Sequence, residues 1–197
     1  DSVSEAFRII RTNMDFMRVK SEKLQVVMFT SANPGAGKTF VSSNLAMSIA
    51  QTNKKVVLVD VDIRKGTLSG IFSNSSNRMG LTHYLSGSTD KVDDIVGTSE
   101  EYEKLDVIFS GPVPPNPAEL LLSERFDRLI TELRKRYDYI IVDNVPAGIV
   151  ADASIVNRVV DLTIFVVRSG VMDRRQLPEL ENMYRQEQLH NLSVILN

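Results

Sequence analysis

With 197 residues, 43% of them apolar and 24% charged, the chain has the size and composition of one globular domain. A formal net charge of −2 excludes a nucleic-acid binder that relies on a broad basic surface. Cysteine is absent, which excludes disulfides and thiolate metal sites and makes the reducing cytoplasm the expected compartment. No apolar run approaches the roughly 20 residues of a membrane-spanning helix, and we expect no signal peptide.

The first predicted element is an amphipathic helix within residues 1–20, ahead of a core at residues 25–197. Its apolar residues recur at helical spacing and are Val3, Phe7, Ile10, Met14 and Met17. The chain begins at Asp1 rather than Met and stops at Asn197, directly after an apolar run. We therefore expect it to be a domain of a longer protein.

Short apolar runs and helical segments then alternate along the chain. The predicted strands are Gln25–Thr30, Lys55–Asp60, Leu105–Ser110, Tyr139–Asp143, Leu162–Arg168 and Leu192–Leu196. The predicted helices are Val41–Gln51, Leu81–Leu85, Arg125–Arg136 and Asp173–Gln188, with a further helical turn that starts at Pro117 after Asn116 as N-cap.

These strands are rich in Val and Ile and lack polar alternation, which is typical of strands buried on both faces. Their alternation with helices predicts an α/β fold, a doubly wound and mostly parallel sheet with helices on both faces. Ligands of such folds bind at the carboxyl ends of the strands. Ser31, Asp60 and Asp143 stand at three of these ends.

A glycine-rich segment lies between the first strand of this sheet and the next helix. Residues 31–39 read SANPGAGKT, which fits a P-loop except that Ala32 replaces its first glycine. Glycines let backbone N–H groups surround phosphate oxygens, and the helix N-terminus adds positive potential. In such a loop Lys38 bridges the β- and γ-phosphates and the Thr39 hydroxyl binds Mg²⁺. The segment therefore predicts ATP and Mg²⁺ binding.

Carboxylates follow two further strands. Asp60 and Asp62 come just after the second strand, where they can hold Mg²⁺-bound water or accept a proton from the nucleophile. Asp143 ends the strand over 139–143, the position of a Mg²⁺ ligand in P-loop enzymes. Either group alone could equally be the polar start of a solvated loop, and it is their combination with the P-loop that favours a site.

The chain resembles the bacterial tyrosine kinases (BY-kinases) of capsule and exopolysaccharide export. The similarity includes the phosphate loop with Pro34 before Gly35, and D-x-D-x-R at residues 60–64. It also includes Glu-x-x-Arg-x-x-Arg at residues 5–11 and the segment SGPVPPNPAELL at residues 110–121. Each motif is common alone, but the set is specific and spans most of the chain.

This resemblance implies an ATP- and Mg²⁺-dependent protein-tyrosine kinase that phosphorylates itself and regulates polysaccharide polymerisation or export. The implied catalytic residues are Lys38, Asp60, Asp62 and Asp143. The implied ATP-binding residues are Pro34, Gly35, Ala36, Gly37, Lys38, Thr39, Phe40, Arg64 and Asn197. The implied metal ligands are Thr39, Asp143 and Asp60, and the implied oligomerisation residues are Glu5, Arg8 and Arg11.

The resemblance also implies partners and a location. The partners are a membrane-embedded polysaccharide co-polymerase segment on the same or a separate chain, further copies of this chain in a ring, and a counteracting tyrosine phosphatase. Nucleic acid is not among them. The implied location is the cytoplasm at the inner face of the membrane, where the kinase is held by its transmembrane activator.

Two features depart from the family. In the family the aspartate is followed by Thr/Ser-Pro-Pro, whereas here Asp143 is followed by Asn144-Val145-Pro146. The tyrosine-rich C-terminal tail that receives phosphate in the family is absent from these residues.

The alternative class is a ParA/MinD-like positioning ATPase without a protein substrate. That class has a second lysine where Asn33 stands, and the Glu-x-x-Arg-x-x-Arg helix is not typical of it. A more distant alternative is a catalytically inactive module that binds nucleotide only to control assembly.

Overall fold

A computed structural model describes residues 2–20, 24–72, 79–146 and 152–197 of the protein. The strands are β1 Val26–Thr30, β2 Val56–Asp60, β3 Gly97–Thr98, β4 Leu105–Ile108, β5 Tyr139–Asp143, β6 Leu162–Val167 and β7 Ser193–Leu196. The helices are α1 Ser2–Lys20, α2 Lys38–Ala50, α3 Leu81–Leu85, α4 Pro117–Leu122, α5 Glu124–Arg136, α6 Asp152–Asn157 and α7 Leu177–Arg185. Short 3₁₀ helices lie at Leu68–Gly70, Val92–Asp94 and Arg174–Gln176.

The strands form one seven-stranded sheet in the order β3-β4-β2-β5-β1-β6-β7. All neighbours are parallel except β3, which pairs antiparallel with β4. The predicted doubly wound, mostly parallel fold is therefore confirmed. The register pairs Asp143 with both Phe29 and Asp60, so the carboxyl ends of β1, β2 and β5 meet at one edge.

Helices cover both faces of the sheet. Val26 and Met28 of β1 pack into the core beneath α3, α4, α5 and α6, whereas Val27 and Phe29 pack beneath α1 and α2. Every residue of β1, β2 and β5 is buried, which explains why their sequences show no polar alternation. Among the described helices, none is long and apolar enough to cross a membrane.

Some predicted boundaries are wrong. Helix α2 begins at Lys38 instead of Val41, because the backbone N–H of Val41 already donates to Gly37. The predicted helix Asp173–Gln188 is divided into the 3₁₀ helix at 174–176 and the shorter α7. The predictions also omitted the two-residue strand β3 and the helix α6.

Two expectations about side chains are confirmed only in part. On α1, Phe7 and Met14 are buried, but Val3 and Met17 are exposed. Asn116 occupies the N-cap position of α4, with Pro117 in its first turn. The Asn116 side chain does not cap the helix, because it donates to the Glu119 carboxylate instead.

Candidate active site

The phosphate loop connects β1 to α2 and depends on two glycines. Gly35 and Gly37 have φ angles of +77° and +91°, a region that residues with a Cβ rarely adopt. A Cβ on Gly37 would also lie 2.3 Å from Nδ2 of Asn197. Because α2 starts directly after Gly37, the unpaired N–H groups of its first turn lie at the loop. The loop therefore has the geometry of an anion site.

A cavity of about 570 Å³ opens beside this loop. The predicted site residues that line it are Pro34, Gly35, Gly37, Lys38, Thr39, Phe40, Asp62 and Arg64. The other lining residues are Lys65, Thr67, Val145 and Pro146. The volume lies in the range of small-molecule sites.

Lys38 lines the cavity at the first position of α2. Burial lowers the pKa of its ammonium group, while the nearby carboxylates of Asp143 and Asp62 oppose that shift. A partly desolvated cation next to loop amides is suited to stabilise the charge of a triphosphate.

Thr39 and Asp143 form the innermost contact of the site. The Thr39 hydroxyl donates to Oδ2 of Asp143 at 2.7 Å, and the Thr67 hydroxyl lies 3.1 Å from that of Thr39. The other carboxylate oxygen of Asp143, Oδ1, is buried and has no hydrogen-bond partner. Burial is the main reason that the pKa of Asp143 rises to about 6.

This arrangement fits a magnesium ion. Mg²⁺ binds hard oxygen ligands and typically takes one or two carboxylates together with waters and substrate phosphates. The Thr39 hydroxyl and the unpartnered Oδ1 of Asp143 are such oxygens. No cluster of three or more His, Cys, Asp or Glu side chains occurs in the described parts of the chain, so phosphates and water would complete the coordination.

Asp60 has a different environment from the one that its predicted metal and catalytic roles suggest. It is 1% exposed, does not line the cavity, and accepts the backbone N–H groups of Asp62 and Leu68 at 3.1 Å each. These bonds hold the loop that follows β2. Desolvation raises the pKa of Asp60 to about 7. Asp62 is half-buried and lies in the cavity wall, so of the two aspartates it is the one that a substrate can reach.

The two raised pKa values predict a pH-dependent stability. In the folded protein both carboxyl groups bind protons more tightly than in the unfolded chain, where their pKa is about 4. Their contribution to stability is therefore fully present below pH 4 and is lost as the pH rises through 6 and 7. We expect the nucleotide-free protein to unfold in urea with a free energy about 4 kcal/mol lower at pH 8 than at pH 5. Asp143→Asn should show a smaller difference. An equal difference in both proteins would contradict this assignment.

Two of the predicted nucleotide ligands do not line the cavity. Asn197 follows β7 and its amide Nδ2 donates to the carbonyl of Ala36 at 3.0 Å. Ala36 itself is buried. Their direct roles in nucleotide binding remain predictions.

Several residues that contact the phosphate loop or its neighbours are not predicted from the sequence. Thr67 reaches the Thr39 hydroxyl because the Asp60 carboxylate fixes the backbone at Leu68. Arg168, directly after β6, and Gln176, in the 3₁₀ helix at 174–176, bond to the phosphate loop. Nothing in their local sequence patterns marks these contacts, which arise only when distant segments meet at one sheet edge.

The predicted oligomerisation residues lie on α1 and differ in their contacts. Glu5 and Arg8 are exposed and pair with each other at 3.1 Å. Arg11 donates instead to the backbone carbonyl of Ser48 on α2 at 2.8 Å and so helps to fix α1 within its own chain. Phe7 lies between Glu5 and Arg8 on this helix, and its ring packs edge-on against the ring of Phe40.

Comparison with known sequences places the chain in a family. Residues 24–168 match the family described as AAA domain. The tyrosine-protein kinase CpsD of Streptococcus pneumoniae is 38% identical over 98% of this chain and 83% of its own length.

Solved structures agree with this placement. The kinase domain of the Escherichia coli tyrosine kinase Etk is 37% identical, with a TM-score of 0.91 over 100% of this chain and 76% of that one. The septum site-determining protein MinD of Pyrococcus horikoshii, solved with Mg-ADP, is 22% identical, with a TM-score of 0.70 over 88% of this chain and 70% of that one. That likeness shows a shared fold alone. The chain therefore belongs to the AAA domain family and, with CpsD and Etk, to the bacterial tyrosine-protein kinases.

Proposed function

We propose that this domain transfers the γ-phosphate of ATP to tyrosine hydroxyls in a Mg²⁺-dependent reaction. The observation that carries the proposal is the partly buried Thr39–Asp143 contact, with the unpartnered carboxylate oxygen of Asp143, beside a cavity lined by Lys38 and Asp62. Phosphoryl transfer depends mostly on positioning and on charge stabilisation. A P-loop, a metal-binding carboxylate and an accessible second carboxylate meet both needs.

Each residue then has a separate role. Loop amides and Lys38 would bind the β- and γ-phosphates, and Thr39 with Asp143 would hold a magnesium ion, which neutralises phosphate charge when bound. Asp62 orients the incoming tyrosine hydroxyl and accepts its proton. Asp60 supports this arrangement by fixing the loop that carries Asp62 and Thr67.

The proposed setting follows the relatives. The match to CpsD and to the Etk kinase domain supports a role in regulating polysaccharide polymerisation and export. From the family resemblance we also expect a location on the cytoplasmic side of the membrane, next to a membrane-embedded activator segment, and reversal of phosphorylation by a tyrosine phosphatase. Within the chain, residues 25–197 would form the nucleotide-binding core and residues 1–20 the helix used for assembly into a ring.

Autophosphorylation within residues 1–197 is expected to be poor. Tyr139 and Tyr84 are buried. Burial, together with the bond that the Tyr137 hydroxyl donates to Asp106, raises the pKa of Tyr137. Tyr102 is half-buried, whereas Tyr184 is exposed but fixed on α7. An acceptor hydroxyl must move into line with the γ-phosphate, which a side chain fixed in the fold cannot do.

The measurement is phosphopeptide mapping after incubation with Mg²⁺ and ATP. We expect phosphate on well under about a tenth of the molecules at any of the five tyrosines, since misplaced reacting groups lose most of the rate. Attaching a flexible tyrosine-rich tail after Asn197 should raise phosphotyrosine strongly. Stoichiometric phosphate on the five tyrosines without that tail would contradict the acceptor mechanism.

Assembly should depend on Arg8 more specifically than on Arg11. The Arg8 side chain is exposed and pairs with Glu5 on the same helix, so a second chain can reach both charges, while Arg11 is bonded to α2. We expect Arg8→Ala to shift an oligomer towards monomer in light scattering, with an unchanged melting temperature. Arg185→Ala, which removes an equally exposed arginine from α7, is the matched control. An unchanged mass for Arg8→Ala, in conditions where the parent protein oligomerises, would contradict the assignment.

A further inference from the structure

Side chains from the segments after β6 and β7 hold the phosphate loop from outside the cavity. Arg168 donates through Nη1 to the carbonyl oxygen of Gly35 at 3.0 Å. Asn197 donates to the carbonyl oxygen of Ala36, also at 3.0 Å. Two successive carbonyls of the loop are thereby fixed by donors from two different strand ends.

A third contact fixes the start of the same loop. The amide groups of Asn33 and Gln176 pair reciprocally, with Nδ2 of Asn33 donating to Oε1 of Gln176 at 2.8 Å and Nε2 of Gln176 donating to Oδ1 of Asn33 at 3.1 Å. Gln176 is itself fixed, because its Oε1 also accepts the backbone N–H of Asp173. This pair is therefore a rigid attachment point.

These contacts control which way the loop amides point. In a trans peptide, the carbonyl of one residue and the N–H of the next point in opposite directions. Holding the carbonyls of Gly35 and Ala36 towards Arg168 and Asn197 therefore turns the N–H groups of Ala36 and Gly37 away from those side chains. In a P-loop these N–H groups bind phosphate oxygens.

Without these contacts, a loop with two glycines at positive φ would lose conformational entropy when a ligand fixes it. Each backbone residue that becomes fixed on binding costs roughly 1–2 kcal/mol of conformational entropy. A loop that is already fixed in the free protein avoids this cost, and the ligand binds more tightly.

We propose that Arg168, Gln176 and Asn197 are positioning residues that hold the phosphate loop in its phosphate-binding conformation before nucleotide arrives. The proposal rests on the proposed nucleotide binding and adds to it the residues that prepare the site. It also gives Asn33 a role within its own chain, at the position where ParA-type loops have a lysine.

The experiment compares Arg168→Met and Gln176→Leu with the parent protein. We expect the Kd for ADP in the presence of Mg²⁺, measured by calorimetry, to rise about tenfold in each variant, as expected for losing a bond worth about 1.4 kcal/mol. In the nucleotide-free protein, amide hydrogen exchange of the peptide covering residues 31–40 should be faster, while exchange in β5 stays the same. Arg168→Lys, which keeps a donor, should recover part of the affinity.

Three comparisons separate positioning from other effects. Gln176→Leu changes no charge, so a loss of affinity there cannot be electrostatic. The double variant Asn33→Leu with Gln176→Leu should be no worse than either single variant, because both remove the same contact. Arg175→Met, which removes an exposed arginine that pairs with Asp173 instead of the loop, is the matched control and should bind ADP normally.

The outcomes distinguish this inference from the proposed function. If the parent protein binds ADP with Mg²⁺ and both variants match it in Kd and in exchange of residues 31–40, the positioning role is wrong and nucleotide binding stands. A rise in Kd without faster loop exchange would also contradict positioning. If the parent protein itself fails to bind ADP with Mg²⁺, the proposed function fails first.

Discussion

Lys38→Ala should reduce ATP turnover and tyrosine phosphorylation by at least about 100-fold, the cost of removing one group that stabilises transition-state charge. Lys38 lies at the start of α2 in the cavity wall, and burial lowers the pKa of its ammonium group. Its charge is therefore unfavourable to the free protein and useful only with an anion bound. We expect the free energy of unfolding without nucleotide to change by less than about 1 kcal/mol.

Lys65→Ala is the matched control for this variant. Lys65 also lines the cavity, but it is exposed and lies in the loop after β2. Because solvent screens an exposed charge, we expect its loss to cost less than about tenfold in rate. Activity close to that of the parent in folded Lys38→Ala, or equal losses in both variants, would overturn the assignment of Lys38.

Asp143→Asn should abolish the effect of Mg²⁺ on nucleotide binding. The variant keeps the size of the side chain and can still accept the Thr39 hydroxyl, but it removes the charge that attracts the ion. We expect kinase and ATPase activity to fall by at least about 100-fold, since a bound metal stabilises the charge of the transition state by several kcal/mol. Without ligand the variant should be at least as stable as the parent at pH 8, because the buried charge of Asp143 is unfavourable there.

The measurement is the Kd for ATP with excess Mg²⁺ and with EDTA. The parent protein should bind much more weakly in EDTA, and Asp143→Asn should bind equally in both conditions. Asp106→Asn is the control, since this carboxylate accepts the Tyr137 hydroxyl away from the cavity. A Mg²⁺ effect of parental size in Asp143→Asn would show that the metal site has been placed wrongly.

Local patterns in the sequence predict the fold, and they also predict residues that the structure brings together at the phosphate loop. The strand over 139–143 and the helix over 81–85 were predicted with their observed bounds, because each has clear apolar and turn residues at its ends. Thr39 and Asp143, which the sequence predicts as metal ligands, lie in contact in the structure, as expected when parallel strands end at one sheet edge.

The remaining features depend on contacts between distant segments. Asp60 and Asp62 look alike in the sequence, but two backbone N–H groups bind the Asp60 carboxylate and leave Asp62 in the cavity wall. Arg11 has the spacing of an exposed interface residue, yet it bonds to Ser48 across a separation of 37 residues. Such partners cannot be inferred from spacing alone.

Tyrosine phosphorylation, and not ATP hydrolysis alone, is the activity that distinguishes this domain from a positioning ATPase. The most direct test incubates the protein with Mg²⁺, γ-labelled ATP and a separate tyrosine-rich acceptor polypeptide, followed by phosphoamino-acid analysis. We expect labelled phosphotyrosine that disappears with EDTA and in Lys38→Ala. Steady ATP hydrolysis without any phosphotyrosine would contradict the claim and favour a positioning ATPase of the ParA/MinD kind.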